Sequence, residues 1–214
     1  MAVFSIHTWR PVPGRGMDLV ASMAQAKGIL EANGAAGVSI WQPIAGGEAG
    51  TLDFVAAYAD QAAHGATMQA ISASADWQAF WAAAMADPSG TNVENFLLSD
   101  LDPTEGLPES PSKVLVAVEF KTRPGRLADH LASQATARGH LERLGGQVRT
   151  MQSFGRNPSG FTTLVGFEDF AHYGEFGAKF AVDEQWANFW VDLAADPPAE
   201  EVESTLLSLL ELPA

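Results

Sequence analysis

The chain has 214 residues, of which 47% are hydrophobic and 18% charged, a balance typical of a folded globular protein and not of a disordered one. Its 12 basic and 26 acidic residues give a formal net charge of −14, so we expect neither nucleic acid nor an anionic membrane as a partner. The chain has no cysteine, which excludes disulfides, thiol nucleophiles and thiolate-bound metals.

The N-terminal segment does not look like an export signal. The opening "MAVFSIHTWRP" has no basic stretch followed by an apolar run. No window approaches the roughly 18 uninterrupted apolar residues of a membrane span. We therefore expect a cytoplasmic protein whose apolar residues form a water-soluble core.

The first half of the chain predicts the element order β-α-β-β-α-β. The run "AVFSIHTWR" reads as a strand that ends before Pro13, and apolar residues at helical spacing follow from Met17 to Asn33. The strands "GVSIWQP" and "GTLDFVAAYA" are joined by a glycine-rich turn. Asp60 can cap a helical region that breaks near Ser72 and resumes until Asp87, and "NVENFLLSDL" is the last strand.

The second half predicts the same order again. Its elements are a strand from Lys113, a helix from Arg126, strands near Gln147 and Phe161, helices from Asp169 and Asp183, and a strand near Val202. This order is that of the ferredoxin-like unit, whose four antiparallel strands carry the helices on one face. The strand "VLVAVEF" is apolar on both sides, so we expect the open faces of the two sheets to pack together.

Short motifs recur at corresponding places in the two halves. "DWQAFW" from Asp76 corresponds to "QWANFW" from Gln185, and "VENFLLSDL" corresponds to "VESTLLSLL". Such self-similarity predicts a tandem repeat of one structural unit. The predicted division is a first ferredoxin-like repeat at 1–101, a linker rich in proline, serine and acidic residues at 102–112, and a second repeat at 113–214.

The strand before the "RPGR" motif at Arg123 and the amphipathic helix after it resemble the opening of NIPSNAP-type domains. Their relatives in the dimeric α+β barrel superfamily include the antibiotic-biosynthesis monooxygenases and the small haem-degrading monooxygenases. The resemblance implies that two ferredoxin-like units join their sheets into a barrel. With both units in one chain, it implies a fused pseudo-dimer, which is compatible with a monomer or with further self-association.

Three histidines stand out when the halves are compared, and one of them, His140, aligns with Ile29 and is expected to be solvent-exposed. His7 aligns with Val118, and His130 aligns with Leu19, which lies on the core-facing stripe of its helix. A partly buried histidine is a candidate proton donor or acceptor, so we predict both as catalytic residues. The alternative is that both are hydrogen-bonded structural residues.

The resemblance also implies a site. In the monooxygenase members the ligand lies between the sheet and its helices, where aromatic side chains line the pocket. The residues that this predicts to bind ligand are Trp9, Trp41, Tyr58, Trp77, Trp81, Phe120, Phe154, Trp186 and Trp190. The alternative for the helical tryptophans is a place in the core, since they share one helix face.

Two arginines complete the predicted site, and the resemblance also bears on whether the site holds a cofactor. Arg15 and Arg126 recur at the first turn of a helix in each half, either to hold an anion at the pocket mouth or to form a salt bridge at the turn. The haem-degrading members combine an asparagine, a tryptophan and an axial histidine, and this chain has no matching histidine. We therefore predict no cofactor, with haem as the weaker alternative, and no metal site.

The predicted partner is a small apolar or aromatic molecule. One class of function is a cofactor-independent oxygenase or isomerase that acts on a small aromatic or polyketide-like compound. The other is a non-catalytic ligand-binding or structural interaction module of the same fold. The sequence leaves both open, because one fold hosts many functions.

Overall fold

The computed structural model describes residues 1–101, 107, 112–155 and 159–211. Within them the strands are β1 (Val3–Pro11), β2 (Gly37–Ala45), β3 (Leu52–Tyr58), β4 (Gly90–Asp100), β5 (Val114–Thr122), β6 (Gln147–Phe154), β7 (Gly160–Phe167) and β8 (Ala199–Leu209). The helices are α1 (Gly16–Ala32), α2 (Gln61–Ala73), α3 (Ala75–Ala86), α4 (Leu127–Leu144), α5 (Phe170–Phe180) and α6 (Glu184–Ala195). The fold class is α+β, as predicted, and most of the predicted linker 102–112 lies outside the described residues.

Side-chain caps decide where the later helices of each half begin. Asp60 caps α2 by accepting from the amide of Ala63 at 2.7 Å, and Ser74 caps α3. Ser74 thus divides the helical region that the sequence predicts to break near this point. Asp169 and Asp183 cap α5 and α6 in the same way. Each cap satisfies an amide that has no partner within its own helix.

The eight strands form one closed antiparallel barrel in the order β1-β3-β2-β8-β5-β7-β6-β4. Strands β1 to β4 make one sheet, and β5 to β8 make the other. The sheets join edge to edge, because β2 pairs with β8 and β4 pairs with β6. Closure leaves no exposed sheet edge among the described strands and encloses a space between the two inner faces.

The same irregularity occurs in both sheets. In the β1–β4 pair, Thr8 lies opposite Glu94 and Trp9 lies opposite Asn92, so Val93 is an extra residue. The β5–β8 pair shifts register in the same way at Val202. Each shift is a β-bulge, which bends a strand and re-aims its side chains.

The helices of each half pack on the outer face of their own sheet. Met23 of α1 and Phe54 of β3 belong to the first core, and Leu144 of α4 and Phe167 of β7 belong to the second. Burying a large apolar side chain of this kind contributes about 1.5–3 kcal/mol. No helix in the described part of the chain is long and apolar enough to cross a membrane.

Candidate functional site

The barrel encloses a cavity of about 830 Å³ between the two sheets. Alternate residues of each strand line it, because successive side chains in a strand point to opposite faces. The volume falls within the range of about 300–1,000 Å³ that is usual for small-molecule sites. Eight-stranded barrels of other families also enclose one small ligand.

Most of the cavity wall is apolar. The apolar residues that line it include Phe4, Ile6, Val55, Phe96, Leu98, Leu115, Leu164 and Leu207. Trp41 also lines it and donates its indole N–H to the hydroxyl of Ser39 at 2.9 Å. Because the only polar atom of the indole is satisfied within the wall, the ring is left for apolar contact.

One end of the cavity is acidic. Thr8 on β1 lies between Asp53 and Glu94 on the flanking strands and donates to Asp53 Oδ1 at 2.6 Å. Glu119 on β5 lies beside Glu203 on β8. Four antiparallel pairings separate β1 from β5, so these strands run in the same direction. Both acidic groups therefore lie towards the C-terminal ends of β1 and β5, and all four carboxylates have interactions within the protein.

A buried ion pair lies beside the cavity where β4 pairs with β6. Arg149 Nη1 on β6 lies 3.0 Å from Asp100 Oδ2 on β4, and the Asp100 side chain is 1% exposed. A buried carboxylate is costly unless a cation or hydrogen-bond donor lies beside it. The pair thus links the two halves across the β4–β6 seam, next to the cavity that Arg149 lines.

His130 lies in a closed network of buried side chains. Its Nδ1 atom is 2.7 Å from Thr122 Oγ1, and its Nε2 atom is 3.0 Å from Gln134 Nε2. Thr163 donates to Gln134 Oε1 at 2.6 Å, which leaves the amide nitrogen of Gln134 to donate to His130. The imidazole is therefore neutral with its proton on Nδ1, and burial lowers the pKa of His130.

His7 is half-buried on the helix-facing side of β1. Its Nδ1–H donates to Asn95 Oδ1 at 2.7 Å, and its Nε2 accepts from the hydroxyl of Ser5 at 2.7 Å. Burial lowers the pKa of His7, the hydrogen bond to Asn95 opposes this, and His64 lowers the pKa slightly further. Both ring nitrogens thus have side-chain partners, as in the structural alternative that the sequence left open.

The four helical tryptophans lie at the edges of the two cores. Trp77 packs against the first core, and Trp186 packs against the second. Trp81 is 36% exposed and contacts Trp9 with their ring centroids 6.2 Å apart, and Trp190 is 37% exposed. These residues cover sheet faces outside the barrel and do not line the large cavity.

The remaining predicted aromatic residues are spread over both halves. Tyr58 is buried in the first core, where the centroid of its ring lies 4.9 Å from that of His64. The ring centroids of Phe120 and His130 are 5.7 Å apart. Phe154 is 44% exposed and lies where β4 pairs with β6. The structure therefore does not bring these residues together in one pocket.

Both predicted arginines form ion pairs at the start of a helix. Arg15 donates to both carboxylate oxygens of Asp87, at 2.5 and 2.9 Å, and to Asp18 at 2.8 Å. Arg126 forms the corresponding contact with Asp196 at 2.9 Å. The guanidinium of Arg15 lowers the pKa of Asp87. Each arginine thus ties the beginning of one helix to the loop after another, which is the salt-bridge alternative.

The large cavity lies inside the barrel, whereas the resemblance implies a pocket between sheet and helices. Of the predicted site residues, Trp41 lines this cavity. The inward-facing carboxylates are not among the residues predicted from the sequence. A signal for two of them exists, because Glu94 and Glu203 occupy the same position in the recurring segments VENFLLSDL and VESTLLSLL.

The described residues do not fit a haem group in this cavity. Haem iron is held by a proximal histidine, cysteine or tyrosine, or by methionine together with histidine. The described wall contains neither histidine nor tyrosine, and the chain has no cysteine. The ring nitrogens of His7 and His130 are engaged by other side chains.

No protein-family model matches the sequence, and no curated protein matches it significantly. Solved structures do share its fold. A protein provisionally named a monooxygenase, from Fusobacterium nucleatum, is 10% identical with a TM-score of 0.65, over 98% of this chain and 93% of its own. An anthrone oxidase-like protein is 10% identical with a TM-score of 0.59, over 98% and 92%.

A haem-binding protein from Thermus thermophilus is 14% identical with a TM-score of 0.57, over 98% of this chain and 91% of its own. Identities this low show a shared fold and leave the activity open. The chain therefore has the ferredoxin-like α+β barrel fold of these proteins.

Proposed function

We propose that this protein binds a small, largely apolar molecule inside the barrel. The observation that carries the proposal is the cavity of about 830 Å³, whose mainly apolar wall comes from both sheets. Each Å² of apolar ligand surface that leaves water contributes about 25 cal/mol of favourable transfer free energy to binding. The carboxylates at one end orient the ligand, because a mostly apolar site with a few polar groups favours one binding direction.

We further infer that the barrel is a fused pseudo-dimer of two ferredoxin-like repeats. Three features recur at corresponding places in the two halves: the bulges at Val93 and Val202, the helix caps, and the arginine–aspartate pairs. The cavity wall then needs no second chain, and a monomer suffices for binding.

An oxygenase or isomerase that uses no cofactor is the second candidate. The pair of His7 with Asn95 favours it, because the second half has Val118 and Ser204 at the corresponding positions. Two structural neighbours carry names that refer to oxidation. The test is oxygen consumption with an anthrone as substrate, where loss of turnover in His7→Val, but not in Trp81→Phe, supports a role for His7.

The binding proposal is tested with N-phenyl-1-naphthylamine, a neutral probe whose fluorescence rises in apolar surroundings. We expect one probe to bind per chain. Ala117→Trp places a large ring into the cavity that Ala117 lines and should abolish binding. The matched control Ala82→Trp adds the same ring to an exposed helix position and should bind like the wild type. Equal binding by both variants would overturn the proposal.

A further inference from the structure

A smaller cavity of about 80 Å³ adjoins the main one in the second half. Phe96, Glu119 and Thr162 line both spaces, so the two share a wall. This side chamber lies towards the acidic end of the barrel, where Glu119 is found. Its volume suits a substituent of a few atoms, since one water takes up about 30 Å³ in the liquid.

The side chamber contains a buried hydroxyl without a partner in the described protein. Ser153 is 6% exposed, and its Oγ atom makes no hydrogen bond within the described residues. Ser153 follows Met151 on β6 at a spacing of two, so both face the barrel interior. A buried polar group of this kind is rare and destabilising, which suggests that something outside the described protein satisfies it.

The rest of the chamber is mainly aromatic and aliphatic. Phe96, Phe120, Phe161 and Val202 contribute to its wall. Glu119 and Thr162 add two polar side chains to this wall, and Ser153 supplies the hydroxyl that lacks a partner among the described residues. Such a chamber suits a compact oxygen substituent, because a serine hydroxyl can donate to a carbonyl or accept from another hydroxyl.

We propose that Ser153 recognises a hydroxyl or carbonyl oxygen on an apolar ligand whose body fills the main cavity. The inference rests on the proposed function and adds the chemical class of the ligand, an oxygenated aromatic or aliphatic molecule. A site that hydrogen-bonds an oxygen discriminates against an analogue that lacks it, because the buried hydroxyl is then left without a partner.

The test compares two probes of similar shape, 2-naphthol and 2-methylnaphthalene, by isothermal titration calorimetry. The methyl compound is the more hydrophobic, so a purely apolar site binds it more tightly. We expect the wild type to prefer 2-naphthol instead. Ser153→Ala should weaken 2-naphthol binding about five- to tenfold, the effect of one hydrogen bond, and should not weaken 2-methylnaphthalene binding.

The matched control is Ser99→Ala, a buried serine on β4 that lines neither cavity and whose loss should leave both affinities unchanged. If 2-methylnaphthalene binds the wild type as tightly as 2-naphthol, the role of Ser153 is overturned and the binding function stands. This comparison uses the wild type, so it holds even if the variant fails to fold. If neither probe binds, the proposed function fails as well.

Discussion

Val93 and Val202 occupy the same bulge position in the two halves of the barrel. Each is the extra residue on the last strand of its sheet, and each directly precedes a glutamate that lines the cavity. A shift of one residue in a strand turns every side chain to the opposite face. The paired bulges therefore set which residues of β4 and β8 reach the interior and which face the helices.

His7 and His130, whose pKa values are lowered in the folded chain, predict how stability depends on pH. Burial lowers the pKa of His130 and of His7 in the folded chain, so below about pH 6.5 the unfolded chain binds more protons. The contribution of these histidines to the free energy of unfolding should be fully present above about pH 6.5. It should be lost as the pH drops through their folded pKa values. Urea unfolding at several pH values measures this, and His130→Leu should show a shallower fall than the wild type. A stability that rises on acidification would contradict it.

His130→Leu should also destabilise the protein at neutral pH, although leucine stands at the corresponding position of the first half. The substitution leaves Thr122 and Gln134 buried without their partner, at a cost of about 1–3 kcal/mol for each group that finds no other. The quadruple variant His130→Leu, Thr122→Val, Gln134→Leu, Thr163→Val removes the stranded groups, including Thr163, which donates to Gln134 in the wild type. It should recover part of the lost stability in urea unfolding, and no recovery would argue against the network.

The tryptophan pair of α3 should contribute unequally to stability. Trp77 packs against the first core, whereas Trp81 is 36% exposed. We expect Trp77→Ala to lower the free energy of unfolding by about 2–4 kcal/mol and Trp81→Ala by about 1 kcal/mol. Trp186 and Trp190 should show the same ranking. Equal losses at the two positions, measured by chemical denaturation, would mean that the helix packs differently.

Asp183 should have a pKa well below that of an ordinary aspartate. Arg143 donates to both of its oxygens, and the amide of Trp186 donates to it as the helix cap, which lowers its pKa to about 2. Carbon-13 NMR titration measures the pKa directly. Arg143→Gln removes the main contribution and should raise the pKa towards about 3.9, the value of a free aspartate. Arg138→Gln on the same helix is the control and should leave Asp183 unchanged.

Much of the fold is predictable from local sequence signals. The break between α2 and α3 falls at Ser74 because its side chain caps α3, and Asp169 and Asp183 begin helices for the same reason. A strand as apolar on both sides as β5 indicates that both of its faces are covered, one by helices and one by the other sheet. These features depend on near neighbours in the chain, which a sequence shows directly.

The location of the cavity is harder to predict. Ile6 lines the barrel while His7 faces the helices, although the reverse assignment fits a strand that has apolar residues on both faces. Which face is which depends on how the sheets pair at their edges, and those contacts join residues far apart in the chain. His7 and His130 stand out in the sequence because the other half has apolar residues at the corresponding positions, yet their partners Asn95 and Gln134 are visible only once the strands and helices are in place.

The most direct test is to locate a heavy-atom ligand. We would determine a crystal structure with 2-bromonaphthalene and find the bromine from its anomalous signal. Binding inside the barrel predicts a bromine peak between the two sheets, in contact with Phe96 or Leu164. A peak between sheet and helices, beside His7 and Trp81, would contradict that account and would support the pocket implied by the family resemblance.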